Sequence, residues 1–323
     1  MNTEKTNRLL NRVAIVTGAG SRDIPNDPDI VGNGRATSIL LARAGAFVVV
    51  VDINKAWAQR TQELIDSAPT HLNHGPNRTL VVRADVTRPS DCKAVVQAAV
   101  EKWGRLDILV NNVGVGGADG TAVEVDVEEW REGMDINVLS MVLMSKYAIP
   151  EMLRTGPTDI SRGTGKAIVN MSSVSGMQGG KQWHIYPTVC EFILHTRRRT
   201  SLLYPTSKGA ILSLTRAMAA HHGPSGIRVN SVAPGTLYTP MIVGDGMPAA
   251  VRTLRKNLAP LRIEGYGWDV GNAVVFLASD EARWITGIIL PVDAGRTAGQ
   301  PPRAGGMVAS APSKVKTQTK GKL

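Results

Sequence analysis

The sequence predicts an α/β protein built on one doubly wound parallel sheet of about seven strands, with helices on both faces. Three observations carry this. Short apolar runs alternate with amphipathic stretches along the chain. The runs are continuous and rich in valine and isoleucine, as strands are when both faces of a parallel sheet are covered. The first run ends in a cluster of glycines that opens a helical pattern.

The expected strands are RVAIVTG (12–18), FVVVVDI (47–53), TLVVRADV (79–86), LDILVNN (106–112), KAIVNMSS (166–173), GIRVNSVAPG (226–235) and GIILPVDAG (287–295). Amphipathic helical stretches fall at 34–45, 89–103, 127–154 and 206–222, and right-handed crossovers follow from that alternation. No fixed-period repeat is present. The expected organisation is an N-terminal extension (1–11), one domain (12–295) and a basic, solvated tail (296–323).

Composition excludes several classes. No run of about 18 apolar residues predicts a membrane span. The start, MNTEKTNRLLNR, lacks the apolar stretch of a secretory signal. The final Gly-Lys-Leu departs from the peroxisomal Ser-Lys-Leu at its first position. Two cysteines, Cys92 and Cys190, give no disulfide framework, and a cytoplasmic location is expected. The net charge of +10 is concentrated in the tail, with Arg296, Arg303, Lys314, Lys316, Lys320 and Lys322 and no acid. Arg197, Arg198 and Arg199 add more, so the body is nearly neutral and no nucleic-acid face is expected. His221 and His222 have no cysteine or carboxylate pattern beside them, so no metal is expected.

The first strand runs into TGAGSRDIPNDPDIVGNGRA. Glycines at a strand-to-helix turn let the backbone approach a pyrophosphate, which rests on the helix N-terminus. The spacing of Gly18, Gly20, Gly32 and Gly34 fits only if residues 22–31 are set aside as an insertion, which leaves Gly18, Gly32 and Gly34 in Gly-x-x-x-Gly-x-Gly register. The insertion carries Asp23, Asp27 and Asp29 against Arg22. Acids beside a pyrophosphate are unfavourable, so it should point away, stiffened by Pro25 and Pro28. The frame is then that of a Rossmann-type dinucleotide fold. Asp52 ends the second strand, where an acid bonds the adenosine ribose and repels a 2′-phosphate. With Ile53 beside it, NAD is favoured, NADP being the alternative. The plainer reading of Asp52 is a solvated turn acid. Asp85, after the third strand, either touches adenine or caps the helix from about 89.

With the glycines, Asn111-Asn112-Val113-Gly114, Asp135-Ile136-Asn137-Val138, Asn170-Met171-Ser172-Ser173 and Tyr204-x-x-x-Lys208 in chain order, residues 12–295 resemble the classical short-chain dehydrogenases/reductases. Val113 stands where the family pattern has Ala. The resemblance implies an oxidoreductase that interconverts a secondary alcohol and a ketone by hydride transfer to or from a nicotinamide. It implies Asn137, Ser173, Tyr204 and Lys208 as the catalytic set. Ser172 precedes the serine that the pattern marks. Gly18, Gly32, Gly34, Asn112 and Gly114 are implied on the cofactor, as are Pro234-Gly235 and Thr239-Pro240 on its nicotinamide. Ser21, Asn33, Asp52, Asp85 and Val86 complete that expected site. Lys208 would also hold the nicotinamide ribose, and Asn137 would order a water that relays protons to it. A homotetramer or homodimer is implied, with helices around 127–150 and 204–222 at the interface.

Residue types support the chemistry. A carbonyl that accepts hydride develops negative charge on oxygen. It needs an acid that serves as base in reverse. A tyrosine has an unperturbed pKa near ~10, and a lysine four residues on lies on the same helix face, where its charge favours phenolate. Ser173 would donate to the substrate oxygen. The substrate segment is expected at about 241–266, with Met241, Ile242, Met247, Leu254 and Leu258 beside Arg252, Arg255 and Lys256.

Tyr-Pro-Thr occurs twice, at 186–188 and 204–206. Tyr186 has the family's spacing from Ser173, but Cys190 stands where its lysine would be. Tyr204 has Lys208. Removing 187–204 leaves HIYPTSKGAILSLT, so that segment is expected to be an in-frame insertion, a retained intron being one source. If it is translated, Tyr204 is the expected acid–base residue. A loop of extra residues bulges outward at modest closure cost, with CEFILH and HTRRRT forming either a short element over the cleft or a disordered excursion. The rival expectation is a non-catalytic Rossmann-fold binding protein disabled by its two insertions.

Overall fold

The computed structural model of the chain describes residues 7–25, 27, 30–69, 77–154, 165–178, 201–244 and 246–299. The strands are β1 (Val13–Thr17), β2 (Phe47–Asp52), β3 (Thr79–Arg83), β4 (Ile108–Asn111), β5 (Lys166–Met171), β6 (Ile227–Pro234) and β7 (Ile289–Val292), each inside an expected run. The helices are α1 (Asn33–Arg43), α2 (Lys55–Asp66), α3 (Pro89–Trp103), α4 (Val127–Met134), α5 (Ser140–Arg154), α6 (Leu203–His222), α7 (Pro240–Val243), α8 (Ala249–Lys256) and α9 (Gly267–Ala278).

All neighbouring strands pair in parallel, in the order β3-β2-β1-β4-β5-β6-β7. Alternation along each strand splits the core into two layers. Ala14 and Val16 of β1 join Ile39 and Leu41 of α1 and Val270 and Val274 of α9. Val13 and Ile15 join Val95 and Val96 of α3, Met144 and Met152 of α5 and Met218 of α6. Burying each such valine, leucine, isoleucine or methionine side chain contributes about 1.5–3 kcal/mol. Both layers are needed because the central strands have no solvent face.

The N-terminal edge of the sheet is pinned by a buried carboxylate. Asp107 accepts from the Val13 amide at 2.9 Å, from Lys166 at 2.6 Å and from Arg105 at 2.8 Å. Burial alone would raise the Asp107 pKa, but the bonds from Arg105 and Lys166 hold it below the usual carboxylate range. This cluster ties β1, β4 and β5 together at the end opposite the candidate site.

Several features differ from expectation, and α7, α8 and α9 lie outside the helical stretches named above. Helix α2 was not foreseen. Asn54 caps it by accepting from the Trp57 amide at 3.1 Å, and only Ala58, Thr61 and Ile65 are buried. The expected helix 127–154 is interrupted at Asp135–Leu139 by a π turn that contains Asn137, a distortion common at functional sites. Of the expected insertion 187–204, Ser201 to Tyr204 lie at the start of α6, and 187–200 lie outside the described residues. Arg296, placed in the expected tail, is buried. Tyr186, the basic run 197–199 and the tail from 300 lie outside the described residues. Among the described residues no helix is long and apolar enough to cross a membrane.

Candidate active site

The expected site residues gather at the C-terminal ends of the strands, around the point where the strand order reverses between β1 and β4. Parallel sheets of this kind bind ligands there. The glycine loop follows β1. Gly18 has φ +61. Gly34 packs so closely that a Cβ would overlap the Gly18 carbonyl. Asn112 staples the same loop, its Nδ2 donating to the carbonyls of Thr17 at 3.1 Å and Gly18 at 3.0 Å. Gly34→Ala is therefore expected to push the loop off Asn112 and cost about 1–3 kcal/mol. A urea melt checks this, and an unchanged midpoint would show that the loop relaxes freely.

Ser21 closes the base of the insertion, its Oγ accepting from the Gly32 amide at 2.9 Å. This bond brings Gly18, Gly32 and Gly34 into the register expected once 22–31 is set aside. Gly32 starts α1 without a side-chain cap, and no acid sits in the first turn. Asn33 Oδ1 is buried there without a partner. A helix start with uncapped amides, an orphaned amide oxygen and a backbone cradle that a Cβ would fill all fit a dinucleotide pyrophosphate.

Asp52 is buried rather than solvated. Its Oδ2 accepts from the Gly20 amide and its Oδ1 from the Asn54 amide, both at 2.9 Å. A Cβ on Gly20 would come within 2.8 Å of Asp52 Oδ2, so the carboxylate lies directly against the glycine loop. Ile53 beside it is exposed. Asp85 does not cap α3. It accepts from the Thr87 amide and hydroxyl at 3.0 and 2.6 Å, and that hydroxyl bond holds its carboxyl below the usual range. Arg88 is the N-cap of α3, with no side-chain capping bond, and its Nε lies 3.4 Å from Asp85 Oδ2. Val86 is buried in the core, and its carbonyl accepts from Cys92.

Asn137, Ser173, Tyr204 and Lys208 converge from β5, the π turn and α6. Lys208 is buried, and its Nζ donates to the Met171 carbonyl at 3.0 Å. Burial pushes its pKa down to about 8. Gly114 leaves room for it, since a Cβ there would lie 3.0 Å from Lys208 Nζ and 3.4 Å from Asn137 Oδ1. Both N–H groups of Asn137 are taken, by the Val115 carbonyl and by Ser207 Oγ, each at 3.0 Å. Its Oδ1 accepts from the Val115 amide at 2.8 Å. A water on this side chain therefore has only the second lone pair of Oδ1.

Ser172 and Ser173 point apart. Ser172 donates to the Val232 carbonyl at 3.0 Å and accepts from Ser231 at 2.8 Å. Ser173 begins the Val174–Gly176 turn, accepting from the Ser175 amide at 3.1 Å, so its hydroxyl hydrogen remains to be donated elsewhere. That turn lies on α6, where a Cβ on Gly176 would overlap the Lys208 carbonyl.

Tyr204 sits in the first turn of α6, half-buried, with Lys208 Nζ 5.7 Å from its ring centre. The helix start is held firmly. Ser201 Oγ donates to the Ala118 carbonyl at 2.8 Å and accepts from the Tyr204 amide at 3.2 Å. Leu203 is fully buried against Gly117 and Gly133. Pro234 ends β6. Gly235 packs against Asp293, where a Cβ would come within 2.6 Å. Thr239 is buried and starts α7. Ser207 and Gly176 were missed from sequence. Among the described residues no cluster of three His, Cys, Asp or Glu could hold a metal ion.

A glycine-lined loop at the switch point and a buried lysine one turn from a tyrosine fit a nucleotide-dependent oxidoreductase. The chain belongs to the short-chain dehydrogenase family. The family's "short chain dehydrogenase" model matches residues 12–192, and one described as "Enoyl-(Acyl carrier protein) reductase" matches 190–297. The two meet inside the segment between the paired tyrosines. A cis-4-hydroxycyclohexanecarboxylate dehydrogenase of Sinomonas cyclohexanicum is 34% identical, covering 89% of this chain and 97% of its own. A meso-2,3-butanediol dehydrogenase of Serratia marcescens is 33% identical, covering 91% and 98%. A solved structure from Burkholderia xenovorans, assigned to the short-chain dehydrogenases/reductases, aligns with TM-score 0.73 at 33% identity over 91% of this chain and 99% of that one. The protein is thus an oxidoreductase acting on a CH–OH group with a nicotinamide cofactor. Nothing in these likenesses favours a non-catalytic binding protein.

Proposed function

We propose that this chain interconverts a secondary alcohol and its ketone, with NAD(H) as partner and Tyr204 as acid–base residue. The observation that carries it is the Lys208 ammonium, buried beside Tyr204 on one helix and next to the Ser173 turn. Tyr204, as phenolate, takes the hydroxyl proton of the alcohol. Ser173 donates its free hydroxyl hydrogen to the substrate oxygen as charge develops there. Lys208 holds positive charge near the phenolate oxygen and so favours the ionised form. Asn137 keeps the loop at Val115 against α6 through its bonds to Val115 and Ser207. The nicotinamide, when bound, accepts the hydride from the alcohol carbon or returns it to the ketone.

Gly18, Gly32, Asn33 and Gly34 would hold the pyrophosphate, with Asp52 toward the adenosine ribose. Asn112, Gly114, Pro234, Gly235 and Thr239 would line the nicotinamide side, and Asp85 and Val86 the adenine side. Ser21 acts on the cofactor through Gly32. The relatives named above act on secondary alcohols, one cyclic and one vicinal, which sets the substrate class to try first. A cytoplasmic homotetramer or homodimer completes the reading.

NAD and NADP are to be compared with a panel of cyclic and vicinal secondary alcohols, following reduced nicotinamide. Because the buried Asp52 carboxylate repels a 2′-phosphate, kcat/KM with NAD is expected to exceed that with NADP by about tenfold or more. A preference for NADP would overturn the cofactor assignment. No turnover on any alcohol or ketone would overturn the activity.

A further inference from the structure

The described residues of the glycine-loop insertion, 22–25, 27 and 30–31, include several that touch the expected substrate segment. Their base is anchored on the cofactor side. Asp23 accepts from the buried Arg35 guanidinium of α1, which also donates to the Ser21 carbonyl. Its other oxygen lies 3.5 Å from Arg60 Nε of α2. The Asp23 carboxylate of the insertion is thus neutralised by two arginines.

From this base the insertion contacts residues after β6. The Arg22 guanidinium donates to the Gly244 carbonyl. Ile30 is buried with Tyr238 and Val243, and Ile24, Met247 and Tyr266 close the cluster. This small core is separate from the two layers that flank the sheet. Its far wall is braced, with the Arg252 guanidinium 4.0 Å over the Tyr238 ring and its Nε donating to Glu264 at 2.7 Å. Gly267 lets the chain pass close beneath, since a Cβ there would lie 2.7 Å from the Val31 carbonyl.

Helix α7 is four residues long. Such a helix has no stability of its own and takes its place from tertiary contacts. Here Ile24 and Ile30 supply part of the apolar surface that Val243 packs on. We propose that Arg22, Ile24 and Ile30 of the insertion form a strut that positions Tyr238 to Gly244 over the substrate, as positioning residues for alcohol binding. This rests on the reading above that the segment after Thr239 faces the substrate.

Arg22→Gln and Ile24→Ala test it, since both side chains are half-buried and outside the main cores. Amide hydrogen exchange at Ile242, Val243 and Gly244 is expected to quicken by about tenfold in each variant, with β5 and α6 unchanged. The KM for alcohol is expected to rise about tenfold, with kcat and the NADH Kd within about twofold of wild type. Ile30→Val, the conservative change, should fall between. Unchanged exchange at 242–244, or a lowered Tm with unchanged KM, would overturn the strut. If the wild-type protein turns over no alcohol, the catalytic reading fails and the exchange experiment still decides the strut.

Discussion

Tyr204→Phe is expected to lower kcat for alcohol oxidation about 10²–10⁴-fold, the range of general acid–base catalysis, while NADH still binds. Tyr186→Phe is expected to leave kcat within about twofold of wild type. The two tyrosines share a Tyr-Pro-Thr context, and only Tyr186 has the family's spacing from the serine. Spacing along the chain matters less than what the backbone fixes. Tyr204 enters α6 at a start held by Ser201 on Ala118 and by Leu203 in its buried seat. Lys208 follows one turn later on the same helix. Gly176 then presses the Ser173 turn onto the backbone of Lys208. These contacts keep the serine, tyrosine and lysine in one rigid unit whatever the length of chain that precedes residue 201. NADH fluorescence titration separates a chemical loss from a binding loss. If Tyr204→Phe turns over normally and Tyr186→Phe does not, the assignment of the acid–base residue is wrong.

Much of the fold was legible because a parallel sheet buried on both faces writes continuous valine and isoleucine runs. β2, FVVVVD, is the plainest case. Helix α2 was not legible, because it buries a narrow face. Ala58, Thr61 and Ile65 make a weak stripe in KAWAQRTQELID, and only Asn54, a good N-cap residue, signals the start. The π turn at Asn137 leaves no mark in hydrophobic periodicity over five residues. Within it Asn137 bonds Val115 and Ser207, a pairing across chain distances that periodicity does not register.

The site was legible in its residue types more than in its bonds. Ser21, Asn112 and Asp85 were expected on the cofactor. Their side chains hold nearby backbone or the neighbouring Thr87. A polar residue that staples a loop and one that binds a ligand look alike in sequence, since both need a short side chain at a strand end. Gly176 carries no motif. Its position three residues after Ser173 gives a signal only once α6 is known to cross there.

Lys208→Met is expected to cut kcat about 10²-fold or more and at the same time to stabilise the cofactor-free protein. Burial lowers the Lys208 pKa from 10.5 to about 8. Below pH 8 the lysine is charged in both folded and unfolded chains, and the folded chain bears the full cost of the buried charge. Between about 8 and 10.5 the unfolded chain binds the proton that the folded chain has released, so wild-type stability climbs as pH rises through that window. Methionine removes the charge and also the bond to the Met171 carbonyl, which offsets part of the gain. The net expectation is a variant more stable by roughly 2 kcal/mol at pH 7, with the difference shrinking toward pH 10. Urea melts at several pH values read this directly. Activity moves the other way. Without the neighbouring cation the phenolate form of Tyr204 is less favoured, so the rising limb of the oxidation pH profile shifts to higher pH. An unshifted limb would mean that Lys208 does not act on Tyr204, and a destabilised variant at pH 7 would mean that its charge is already compensated in the folded chain.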